Sequence, residues 1–152
     1  MPSISLRAYN REIETMIDHG QAEDAVAHCM HILHAIPKYI QAYRLLGKAL
    51  LELRRYGDAA DIFNRVLSSA PDDFVANIGM SIIRENEKNL DLAIWHMERA
   101  FENQPANGVV QGELRRLYGR RDGLEPTKTR MTRGALARMY AKGHLYRQAI
   151  GE

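Results

Sequence analysis

The sequence predicts an all-α, right-handed solenoid of antiparallel helix pairs, and three observations carry that prediction. Pro37, Pro71 and Pro105 recur at intervals of 34 residues. Ala25, Ala59 and Ala93 keep the same interval, and so do the apolar residues Ile32, Val66 and Ala100. A fixed period of this size marks a chain of stacked supersecondary units, none of which can bury its apolar face alone. The composition agrees with a folded chain: 152 residues, 45% apolar and 26% charged, are proportions of a globular protein and not of a disordered one.

The residues between the ladders resemble the tetratricopeptide repeat, a 34-residue helix–turn–helix. That pattern has Leu-Gly at positions 7–8, an aromatic at 11, Ala at 20, an aromatic at 24, Ala at 27 and Pro at 32. Residues 40–73 fit it best, through Tyr43, Leu46, Gly47, Leu50, Ala59, Phe63, Val66 and Pro71. Residues 6–39 fit through Tyr9, Ile13, Met16, Ala25, Cys29, Ile32 and Pro37. Residues 74–107 match in the second helix, through Ala93, Met97, Ala100 and Pro105. Their first helix departs, with Asn77 and Arg84 where large apolar groups are expected. Residues 108–132 read as a degenerate unit. Residues 133–152 restart the pattern with Leu136, Ala137, Tyr140, Tyr146 and Ala149 as a partial one. The whole chain, 1–152, is therefore expected to be one solenoid with an incomplete C-terminal unit.

Helices are expected at about 6–19, 22–36, 40–53, 56–70, 73–88, 90–103, 107–119, 133–143 and 146–151. Each is short enough to be marginal alone and must bury its apolar stripe. Gly47 and Ala59 are small because the two helices of a hairpin cross closely there. Tyr56, Phe63 and Leu46 fill the space between units. The prolines follow the second helices, where a missing N–H and a restricted preceding residue end the helix. Asp72 and Asp73 are expected to supply an N-cap and a first-turn acid to the helix that follows. Between Tyr118 and Arg133 the pattern fails, and Asp122-Gly123 and Pro126 predict a loop.

Charge is unevenly placed. The net charge of +2 conceals 11 Lys+Arg against 16 Asp+Glu in residues 1–114, and 10 against 3 in residues 115–152. The predicted loop carries Arg120, Arg121, Lys128 and Arg130, a candidate surface for an anion or a partner. Nucleic acid is a minor option, because the loop has no interleaved aromatics and no groove-reading helix.

In the resembled family, first-helix positions 2, 5, 6, 9, 12 and 13 face a concave groove that receives peptides. The resemblance therefore implies Arg7, Asn10, Arg11, Glu14 and Asp18 in the first unit. It implies Gln41, Arg44, Lys48, Leu51 and Glu52 in the second, Val75, Ile78, Gly79 and Ile82 in the third, and Arg116 in the fourth. Arg44 and Lys48 would flank an apolar floor and suit a peptide with acidic flanks. The family's clamp on a C-terminal carboxylate is not implied, since its positions hold Asn10, Glu14, Leu45, Val75 and Gly79.

Other chemistry finds little support. His28, His31 and His34 share a helix with Cys29, but they drift around it and lack a fourth convergent ligand. No metal site is expected, and Cys29 is expected to be a core thiol. No phosphate loop or hydrolase motif is present, so neither an enzyme nor a cofactor is expected. Trp95 either lies across the neighbouring helix or anchors a protein contact. One Cys, no apolar run of 18 residues and no signal peptide point to the cytoplasm. The expected function is a non-enzymatic scaffold that binds a protein or peptide partner in its groove. The alternative is a self-associating module, or the N-terminal part of a larger multi-repeat protein, exposing Leu136, Tyr140, Leu145 and Ile150 at an uncovered edge that would form a homo-oligomer.

Overall fold

A computed structural model of the chain describes residues 5–124 and 126. Its helices are α1 (Leu6–Asp18), α2 (Ala22–Ala35), α3 (Ile40–Glu52), α4 (Tyr56–Ser69), α5 (Phe74–Asn86), α6 (Leu90–Asn103) and α7 (Gly108–Asp122), and no strand occurs among the described residues. The first seven expected helices are present with their ends shifted by one to three residues at most. Those expected at 133–143 and 146–151 lie outside the described residues. Two compact units divide the chain at Pro71: α1–α4 form the first, α5–α7 the second.

The turn inside each hairpin is made the same way three times. The N–H groups of Gln21, Arg55 and Asn89 bond the carbonyls of Met16, Leu50 and Arg84 at 2.8, 2.9 and 2.9 Å. The N–H groups of Gly20, Arg54 and Lys88 bond Ile17, Leu51 and Glu85 at 3.3, 2.9 and 2.9 Å. This paired closure needs a left-handed residue at its centre. The centre falls on Gly20 (φ 78°), Arg54 (φ 58°) and Lys88 (φ 64°), again 34 residues apart. Only the first is a glycine, so the other two hold a conformation that disfavours a Cβ.

The second helices also end alike. Ile36, Ala70 and Gln104 donate their N–H to Ile32, Val66 and Ala100, and each precedes one of the three periodic prolines. The backbone there leaves the helical region, with ψ of 82°, 85° and 71°, as expected of a residue before proline. The first helices begin after Ser5, Tyr39, Asp73 and Asn107, a further ladder of 34 that the sequence pattern alone did not reveal. Asp73 alone is the cap of α5, accepting from Ala76 N–H at 2.9 Å, so the capping residue lies one position later than expected.

In the first unit α1 packs on α2 and α3, α2 on α3, and α3 on α4. Ile13, Ile17, Ala25, Cys29 and Ile32 are buried with Leu45, Leu46, Leu50, Ala59, Phe63 and Val66. The tightest point is the α3–α4 crossing, where a Cβ on Gly47 would lie 2.5 Å from Cε1 of Phe63. Cys29 is buried as expected, and burial pushes its thiol up to about 12.

In the second unit α6 packs on both α5 and α7. Ile94, Met97, Phe101, Val110, Leu114 and Leu117 form its core, with Phe74, Ile78, Leu90 and Tyr118 against them. Asn77, which breaks the repeat pattern, is 0% exposed. Its Nδ2 donates to the Asp73 carbonyl at 3.0 Å, and its Oδ1 lies 3.0 Å from Nδ1 of His96. Because that oxygen can only accept, His96 carries its proton on Nδ1. Ser81 Oγ closes the same interface by donating to the Ala93 carbonyl at 2.7 Å. The first unit has a counterpart to the Asn77–His96 pair in Tyr9–His28, at the same sequence separation and 2.5 Å between Oη and Nδ1.

Three predictions follow from this packing. Gly47→Ala gains the usual helical advantage of alanine, about 0.5–1 kcal/mol. It also drives a methyl into a rigid ring, which costs about 1–3 kcal/mol, so the net is destabilisation measurable in urea. Arg54→Gly and Lys88→Gly should each stabilise by up to about 1 kcal/mol, by relieving the left-handed conformation. A melting temperature that fell in both would contradict the turn assignment.

The third prediction concerns pH. Burial, and then the charges of Arg84 and Arg99, push His96 down to about 4 from 6.5. The unfolded chain therefore binds a proton that the folded chain refuses, and stability declines as pH falls from about 6.5 to 4. Urea midpoints across that window should drop in the wild type and drop less in His96→Gln, which keeps a neutral amide against Asn77.

Candidate protein-binding surface

One face of α1 carries Arg7, Asn10, Arg11 and Glu14, at the i, i+3, i+4 and i+7 spacing that aligns side chains along a helix. The start of α3 lies beside it within the first unit. Together they enclose an open recess of about 370 Å³, lined by Arg7, Asn10, Arg11, Glu14, Tyr39 and Gln41. Five of the predicted groove residues, Arg7, Asn10, Arg11, Glu14 and Gln41, are thus brought to one place. Asn10 Nδ2 donates to the Tyr39 hydroxyl at 2.6 Å and joins the two helices across the recess.

The charges of the recess are not equally committed. Lys48 Nζ lies 3.4 Å from Glu14 Oε1, and Arg44 donates to Gln41 Oε1 at 3.2 Å. These two cations, expected to flank the bound peptide, are therefore engaged with the recess wall. The guanidinium groups of Arg7 and Arg11 make no hydrogen bond or ion pair among the described residues. They are the two cations that line the recess. Leu51 is half-buried.

The second unit places its predicted groove residues differently. Ile78 packs on the core, whereas Ile82, one turn later, is 45% exposed. Arg116 is held by Glu85 in a two-pronged bond, 2.7 Å from Nη1 and 2.8 Å from Nη2, and by Glu113 at 2.7 Å. Arg120 donates to the same Glu85 carboxylate. The hydrogen bond from Arg116 outweighs burial and, with Arg120, holds Glu85 down at about 2. Arg116 and Arg120 thus complete an ion-pair network within the second unit.

The basic stretch needs a correction. Arg120 and Arg121 are in the last turn of α7 and not in a loop, because the helix runs three residues past its expected end. Gly123, at φ 80°, stops it, with its N–H bonded to the Gly119 carbonyl at 2.8 Å. Cations are favourable at a helix C-terminus. Arg121 pairs with Asp122 at 2.9 Å and lies 5.5 Å over the Tyr118 ring. Lys128 and Arg130 lie outside the described residues, as do Leu136, Tyr140, Leu145 and Ile150.

The remaining candidates have local partners. His28 is bonded to Tyr9, while His31 and His34 are exposed. No group of three His, Cys, Asp or Glu able to hold a metal occurs among the described residues. Nor, among them, is any helix long and apolar enough to cross a membrane. Trp95 is 46% exposed and packs edge-on against His96 of its own helix, with the Arg99 guanidinium 5.0 Å from the ring centroid. The sequence reading missed Tyr39 as a recess residue. The available signal was its position in the 5, 39, 73, 107 ladder, where the other three residues cap a helix.

The tetratricopeptide repeat family matches residues 16–77. A search of the curated proteins finds no match. Among solved structures, the first TPR domain of the human RPAP3 protein superposes with a TM-score of 0.69 at 17% identity, over 76% of this chain and 91% of that one. MamA from Desulfovibrio magneticus RS-1, from residue 41 to its end, gives 0.66 at 19% identity, over 93% of this chain and 76% of that one. Identities this low speak for the fold alone, an all-α solenoid of the tetratricopeptide type. Residues 16–77 thus match the tetratricopeptide repeat family, and the seven helices and the 34-residue turn chemistry agree with that fold.

Proposed function

We propose that the chain is a non-enzymatic scaffold that binds a segment of another protein through the recess of its first unit. Arg7 and Arg11 hold an acidic side chain of that segment. The tetratricopeptide repeat typically mediates protein–protein interaction, which supports the general class. The observation that carries the particular reading is a pair of guanidinium groups, one turn apart at an open recess, with no partner among the described residues. Several other cations on these helices, Lys48, Arg116, Arg120 and Arg121, already have acidic partners. An unneutralised pair at a concave surface attracts an anion at long range. It can then form charge-assisted bonds worth about 1.5–3 kcal/mol each.

The test is selection from a random peptide library followed by titration of the enriched peptides. Acidic sequences should be enriched. Arg7→Glu combined with Arg11→Glu should weaken binding by more than about tenfold, with the urea midpoint unchanged. Arg44→Glu with Lys48→Glu should have a smaller effect, because those cations are already paired within the wall. Equal binding by the Arg7 and Arg11 variant would remove the recess from the function.

A further inference from the structure

The four first helices begin at equivalent places in the repeat, so the residue before each can be compared directly. Ser5 accepts from Ala8 N–H at 3.1 Å, Asp73 from Ala76 N–H at 2.9 Å, and Asn107 from Val109 and Val110 N–H at 3.0 and 3.3 Å. Tyr39 makes no such bond, since its hydroxyl is too far along the ring to fold back on its own helix. Among these four first helices, the sequence forgoes a side-chain cap at α3, whose N-cap residue itself lines the recess.

The Tyr39 hydroxyl has a different engagement. It accepts the Asn10 amide N–H at 2.6 Å, which leaves its own proton without an acceptor among the described residues. Among the described residues, the bond to Tyr39 is the only hydrogen bond of the Asn10 side chain, and the buried Asn10 Oδ1 has no partner. A hydroxyl that accepts one hydrogen bond becomes a better donor in the next. Its proton is available beside Arg7 and Arg11, which line the same recess.

We infer that Tyr39 is a third ligand donor of the recess: its O–H bonds the side-chain carboxylate that Arg7 and Arg11 hold, and Asn10 is the positioning residue that orients it. The inference rests on the function proposed above and adds to it a directional requirement. Two guanidinium groups tolerate an acid in many poses, whereas a phenol fixed from α1 accepts it in one. Tyr39 therefore sets selectivity, and the missing cap on α3 is the structural cost of placing it.

The probe is the peptide Ala-Ala-Glu-Ala-Ala, acetylated and amidated so that only the side chain carries charge, titrated into the full chain and followed by amide chemical shifts. The Gln version of the peptide is the control. The wild type should prefer the Glu peptide, and Tyr39→Phe should lose about tenfold of that affinity. Asn10→Ala should lose a similar factor in the wild-type background and almost none in Tyr39→Phe, as a positioning role requires. Tyr39→Ser restores a capping side chain, so its melting temperature should rise while its affinity falls, opposite movements that a merely structural residue would not produce. Wild-type affinity in Tyr39→Phe overturns this inference and leaves the scaffold reading to the Arg7 and Arg11 variants. Equal affinity of the wild type for the Glu and Gln peptides overturns both.

Discussion

Every hairpin in the chain depends on bringing two short helices close enough to share one apolar seam. A helix of 13 or 14 residues contributes too little by itself to stay folded in water. Close approach demands small residues where the helices cross, and Ala25, Ala59 and Ala93 are each 0% exposed at that place. At the α3–α4 crossing the demand is stricter, because the Phe63 ring occupies the space that a side chain on Gly47 would need. Residue size there decides whether the repeat closes. The turn then follows from the crossing: the chain must reverse within a few residues, and the left-handed Gly20, Arg54 and Lys88 perform that reversal.

Deviation from the repeat is tolerated where polar groups are satisfied. Asn77 and His96 replace an apolar contact between α5 and α6 by a hydrogen-bonded pair, and Asp73 contributes both its carboxylate to the α5 cap and its carbonyl to Asn77. A buried amide without these partners would cost about 1–3 kcal/mol. The arrangement also makes His96 a neutral ring held among arginines, since Arg84 and Arg99 both disfavour its charging. The same sequence positions in the first unit hold Tyr9 and His28, so a side chain bonded to His Nδ1 is a recurring solution and not an isolated defect.

The fold was legible in the sequence because its determinants are periodic. The prolines, the crossing alanines and the apolar ladder each occur three times at one spacing, and chance does not imitate that. Much of the recess was legible for the same reason: Arg7, Asn10, Glu14 and Gln41 were expected from the repeat register and line it together. Two features were not legible. The end of α7 depends on Gly123 taking a left-handed conformation, and Asp-Gly reads equally well as a turn in a loop. Tyr39 is conspicuous only against the residues 34 positions away on either side, and its bond to Asn10 spans 29 residues between two helices.

The charge distribution shows why counting cannot find a binding surface. The excess of Lys and Arg after residue 114 is the largest electrostatic feature of the sequence. Yet Arg116 and Arg120 converge on one carboxylate, Glu85, whose side chain is only 17% exposed, and Arg121 is occupied by Asp122. Those cations are held by acids that a sequence count assigns to a different segment or cancels in the total. Arg7 and Arg11 sit in a segment whose net charge is negative, and their guanidinium groups nevertheless have no partner among the described residues. What a partner meets is the charge left over after local pairing, and pairing is decided by helix register: i to i+3 within a helix, and one helix to its neighbour across the seam. The acidic partner proposed above therefore belongs to the first unit, and not to the C-terminal segment that the net charge favours.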